Sequence, residues 1–163
     1  MFTFPKIPAW NALHPFLVHF PVALLFTVPI LIIVGLIWAD RAKNFYVAAF
    51  AVLLLGTIFC YIASVSGDAA ASVVEKSKPS IEQQLNKHED LAETARSVFT
   101  GLCLVYFLFL FAPSLMKKEI KNKVIVIFNV FYLALYFLGC MILLNAAHTG
   151  GVLVHQLGVH AVW

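Results

Sequence analysis

Residues 14–38 read HPFLVHFPVALLFTVPILIIVGLIW, without a single Asp, Glu, Lys or Arg. At about 1.5 Å of rise per residue, a helix of this length crosses a hydrocarbon core of roughly 30 Å. The run is too long for the apolar part of a signal peptide, and no small-residue cleavage site follows it. Three further apolar stretches of spanning length follow, and the whole chain predicts helices over 15–38, 45–66, 81–112 and 124–148 or beyond. The composition agrees: 62% of the 163 residues are hydrophobic, 12% are charged, and the mean hydropathy is +0.92. A soluble domain is closer to half apolar. The expected fold is therefore all-α, an integral membrane four-helix bundle forming a single transmembrane domain over residues 1–163. No internal repeat is apparent in the sequence.

Basic residues bias the loops that hold them toward the cytoplasm. Arg41 and Lys43 follow the first stretch, and Lys117, Lys118, Lys121 and Lys123 follow the third, so all six lie at one end. The other end holds both termini and the 67–91 connection, and it is expected to face the periplasm from a bacterial inner (cytoplasmic) membrane. The net charge of +3 is concentrated in the inner loops. It reports topology and gives no reason to propose nucleic acid. Cys60, Cys103 and Cys140 all fall within apolar stretches, where a free thiol packs as a small hydrophobe.

The histidines carry the functional signal. Once the four spans are drawn, His14, His19, His88, His148, His155 and His160 all fall in the half of the bundle away from the basic loops. His14 precedes Pro15 and reads as a helix N-cap or as a further ligand. His19 sits inside an apolar run, where an imidazole needs a partner. In the third helix, Ser80 and Gln83 predict a capping box. His88 fills the step between Leu85 and Ala92 on an apolar stripe that includes Ile81, Ala95, Phe99 and Leu102, which turns it toward the seam. The chain ends NAAHTGGVLVHQLGVHAVW, and a continuing helix would put His148, Gly151 and His155 on one stripe. Gly151 would leave room there for a flat macrocycle; the bland alternative is that the glycines end the helix. Counting levels along the helices predicts a deeper pair, His19 with His148, and a shallower pair, His88 with His155.

Paired imidazoles in an apolar bundle are what non-covalent b-type haem requires, one or two groups in this case. A structural zinc site normally takes four convergent ligands, while copper and a proton-relay cluster remain open chemistries. His160 lies beyond the stripe and is not included in the site.

HPFLVHFPVALL, the single histidine of NKHEDLA and the closing HTGGVLVHQLG together resemble a family of small bacterial four-helix membrane proteins classed as a domain of unknown function. Its members open with HPxxVHFPIAL and close with HxGGxLxHxxG or a near variant. The resemblance covers essentially the whole chain and implies that His14, His19, His88, His148 and His155 match the family's histidines. This chain departs from many members at Leu157, where they have histidine, and at His155, where they have tyrosine. Some members occur with c-type cytochrome domains, which implies electron transfer. The chain itself has no CxxCH for covalent haem.

The expected function is a membrane-embedded cytochrome b subunit of a respiratory chain, passing electrons between the quinone pool and periplasmic partners such as a c-type cytochrome. His19, His88, His148 and His155 are its metal ligands, and His14 and Gly151 belong to the cofactor site. An electron-transfer subunit is expected rather than a stand-alone enzyme, because no nucleophile-base pair or phosphate-binding loop is present. The alternative is a structural or accessory subunit of a larger complex. Its partner face would be an aromatic surface of Tyr106, Phe107, Phe109, Phe111, Phe131, Tyr132, Tyr136 and Phe137, unless that surface simply meets lipid.

Overall fold

The computed structural model describes residues 8–74, 78–117 and 119–159; His160 and Trp163 lie outside them. Four helical spans are long and apolar enough to cross a membrane. The first comprises α1 (His14–Leu17) and α2 (His19–Ile37), followed by α3 (Ala42–Ala71), α4 (Pro79–Leu115) and α5 (Asn122–His155). Large apolar side chains also cover the outward faces, among them Ile30, Ile33, Leu104, Leu108, Phe131 and Phe137. A helix that is apolar all round has lipid as its surroundings, so the protein is a multi-pass membrane protein.

Proline accounts for the broken first span. Pro21 has no N–H to bond the Leu17 carbonyl, and the helix is interrupted at Val18. Pro29 likewise leaves the Leu25 carbonyl without its helical donor. The Tyr136 hydroxyl, reaching from α5, donates to that carbonyl at 2.8 Å. A bond freed by local sequence is thus replaced by one that ties the last span to the first.

Two local expectations change. His14 is the first residue of α1 rather than its cap; Leu13 occupies the cap position and makes no side-chain bond. Helix α4 starts at Pro79 with Lys78 as its cap and no capping side chain. A proline at the first helical position needs no donor there, so the Ser80–Gln83 box is not used.

The spans pack in cyclic order. α2 lies against α3, α3 against α4, α4 against α5, and α5 returns to α2. The first and third spans are therefore diagonal, as are the second and fourth. The core runs along the bundle through Leu25, Val28, Leu53, Phe99, Tyr106, Tyr132 and Tyr136. Tyr106, Tyr132 and Tyr136 are at most 1% exposed, which removes them from the proposed aromatic surface. Their hydroxyls need partners that lipid cannot supply: Tyr106 donates to Asn129 Oδ1 at 3.0 Å and Tyr132 to the Leu102 carbonyl at 3.0 Å. Phe107, Phe131 and Phe137 do face outward.

The two hairpins repeat one another. A constant shift carries every buried residue of α3 onto a buried residue of α5: Tyr46 to Asn129, Ala49 to Tyr132, Leu53 to Tyr136, Gly56 to Gly139, and so on to Ser66 and Thr149. A second constant shift carries Pro21, Leu25, Val28 and Ile32 onto Ala95, Phe99, Leu102 and Tyr106. The close contacts repeat as well. Gly56 lies against Leu24 and Leu25, and Gly139 lies against their counterparts Val98 and Phe99. The bundle is a duplicated helical hairpin with a pseudo-two-fold axis running along it, contrary to the expectation from sequence.

Candidate functional site

Symmetry brings two histidines together. The shift that superposes α2 on α4 carries His14 onto His88. Both stand on diagonal spans at the end of the bundle away from the basic loops, so they meet across the axis. Their ring centres are 6.2 Å apart and their planes are inclined at 75°. Both are half-buried.

Each imidazole is held by the next span in the same way. His14 Nδ1 lies 3.0 Å from the Ala63 carbonyl oxygen and 3.1 Å from Ser66 Oγ, and Ser66 Oγ donates to the same carbonyl at 2.9 Å. His88 Nδ1 lies 2.9 Å from the Ala146 carbonyl oxygen and 3.2 Å from Thr149 Oγ1, and Thr149 Oγ1 donates to Ala146 at 2.8 Å. A carbonyl oxygen can only accept, so the neutral ring must carry its proton on Nδ1. That leaves the lone pair on Nε2. No buried side-chain nitrogen or oxygen among the described residues lacks a partner. Among the described residues neither Nε2 has a hydrogen-bond partner, so each is open to its surroundings rather than sealed in the core.

Glycine makes the close approach possible. A Cβ at Gly67 would stand 3.0 Å from His14 Cε1, and one at Gly150 would stand 3.0 Å from His88 Cε1. Gln84 strengthens the second half by donating from Nε2 to the Thr149 carbonyl at 3.1 Å.

The remaining predicted residues lie elsewhere. His19 is exposed on α2, in an outward groove with Phe16, Phe20, Ala23 and Leu24. The inward stripe of α5 runs through Leu143, Ala146, Thr149 and Leu153. His148 is one residue off that stripe, about 100° around the helix, and it is exposed. His155 is exposed and lies six residues past Thr149, about 9 Å beyond the segment that receives His88. A Cβ at Gly151 would meet nothing within 4 Å, which places it off the packed seam. The structure therefore joins His14 with His88, and not the pairs His19 with His148 or His88 with His155. Among the described residues, no group of three or more His, Cys, Asp or Glu is placed to hold a metal ion.

Ser66, Gly67, Thr149 and Gly150 are the site residues that sequence reasoning missed. Their signal is a short echo, Ala-x-x-Ser-Gly at 63–67 and Ala-x-x-Thr-Gly at 146–150, each following a histidine on the preceding span.

Neither a curated protein nor a solved structure matches the chain. A family model described as Predicted membrane protein (DUF2231) matches residues 11–162, and the chain belongs to that family.

Proposed function

We propose that the protein is a membrane electron-transfer subunit holding one non-covalent b-type haem between His14 and His88. The observation that carries this reading is the pair of imidazoles with ring centres 6.2 Å apart, each bonded through Nδ1 to a backbone carbonyl. An imidazole that donates one ring N–H to a carbonyl and offers the other nitrogen is the usual arrangement of a histidine metal ligand. Two metal-nitrogen bonds of about 2 Å each separate ring centres by about 6 Å, which matches the observed spacing. Two donors leave a bare zinc ion short of ligands, whereas haem brings four equatorial nitrogens of its own and asks the protein for two axial ones. Haem supplies reversible one-electron chemistry when bound. The chain's residues would fix the two nitrogens through the Ala63 and Ala146 carbonyls.

The basic loops at the opposite end support an orientation with the histidine end in the periplasm of a bacterial inner membrane. Electrons would pass there between the quinone pool and a soluble or tethered redox partner, for which a c-type cytochrome is the natural candidate. A second reading has its own support: both imidazoles already have hydrogen-bond partners, so they could serve only to clip neighbouring spans in an accessory subunit.

Pyridine haemochrome analysis of protein purified from haem-replete cells separates the two readings. One b-type haem per chain, extractable with acid acetone, is expected. A folded, colourless preparation would favour the accessory subunit.

A further inference from the structure

The paired Ser66-Gly67 and Thr149-Gly150 segments place a buried hydroxyl beside a glycine at equivalent positions of α3 and α5. What sets them apart is their relation to the imidazoles. Each glycine leaves room for a ring to lie on the neighbouring helix, 3.0 Å from where a Cβ would be. Each hydroxyl then contacts Nδ1 while donating to the carbonyl that Nδ1 also meets. We propose that these two segments are positioning elements: they hold His14 and His88 in the Nδ1–H form and present both Nε2 lone pairs to one ligand atom on the pseudo-two-fold axis. The ligating role of Nε2 rests on the haem reading above; the tautomer does not.

Free neutral imidazole favours a proton on Nε2, so a histidine fixed the other way needs a local cause. Here the cause is an acceptor-only carbonyl at 2.9 to 3.0 Å, with the ring seated close over the glycine one helical turn along. Adding a methyl group at Gly67 forces the His14 ring to move by several tenths of an ångström or to rotate. Either change weakens the Nδ1 bond and releases the proton to Nε2, where it blocks coordination. The same substitution at Gly150 must act on His88 and leave His14 untouched, because each segment serves one ring.

The test uses the full chain with 15N-labelled histidine, produced in haem-deficient cells and placed in lipid nanodiscs. Ring nitrogen shifts then report each tautomer without haem. In the wild-type protein, two histidines, identified by their loss in His14→Ala and His88→Ala, should be in the Nδ1–H form, while exposed His19, His148 and His155 show the ordinary Nε2–H preference. Gly67→Ala should shift only the His14 signals, and Gly150→Ala only those of His88. Exchange of the hydroxyls, Ser66→Thr with Thr149→Ser, should preserve both. Nε2–H signals for His14 and His88 in the wild type would overturn the proposal, as would Gly67→Ala and Gly150→Ala variants that fold and leave both tautomers unchanged. Should a glycine variant fail to fold, the wild-type spectrum still decides. An Nδ1–H result in a protein that never binds haem would sink the cofactor reading and leave the positioning role standing.

Discussion

The two hairpins reach the same site by different routes. The first has Pro15, Pro21 and Pro29, an interrupted first span and a tight turn into α3. The second has two long helices, 37 and 34 residues, joined by a short link. Few side chains are shared: Tyr46 corresponds to Asn129, Ala49 to Tyr132 and Pro21 to Ala95. Yet His14 and His88, Ala63 and Ala146, and Gly67 and Gly150 correspond and are identical, and Ser66 is matched by the equivalent hydroxyl of Thr149. Packing tolerates substitution of volume for volume. A bond between one ring nitrogen and one carbonyl does not, which is why the imidazole clip stands out against the rest of the duplicated hairpin.

Equivalence of the halves makes the strongest prediction. His14→Ala and His88→Ala should each remove the Soret band completely, and to the same extent, because each takes away one of the two nitrogens by which the proposed site would hold haem. Loss of colour in one variant alone would break the symmetry between the hairpins. A smaller effect is expected where the halves differ. Tyr136 corresponds to Leu53, which has no hydroxyl, so the bond to the carbonyl freed by Pro29 exists in one direction only. Tyr136→Phe should destabilise the bundle by about 1 kcal/mol, measured by detergent-titrated unfolding, with haem content unchanged. The smallest expected effect is none: His19→Ala, His148→Ala and His155→Ala should keep wild-type absorbance, since those side chains face outward.

The four spans were legible because hydropathy and length decide them together, and no other fold accommodates such stretches. The inward phase of α4 was legible too, since Leu85, Ala95 and Phe99 mark a stripe that His88 shares. The inward phase of α5 is not legible in the same way. Its apolar residues surround the helix, so periodicity does not separate the lipid face from the seam, and a stripe of histidine and glycine drew attention one residue away from Ala146 and Thr149. The placement of His14 is not legible for a related reason: a residue before proline resembles a cap, and only the partner helix shows that its ring reaches Ala63. Apart from the short echo at 63–67 and 146–150, the duplication is written in burial, and lipid-facing and core positions use the same apolar alphabet.

The claim that matters most is that His14 and His88 share one iron. The electron paramagnetic resonance spectrum of the ferric protein, purified from haem-replete cells, tests it most directly. Two axial imidazoles with planes inclined at 75° should give a strongly anisotropic low-spin signal, present in the wild type and in His19→Ala, and absent from both His14→Ala and His88→Ala. A high-spin signal in the wild type, or a low-spin signal that survives either of those two substitutions, would contradict the account.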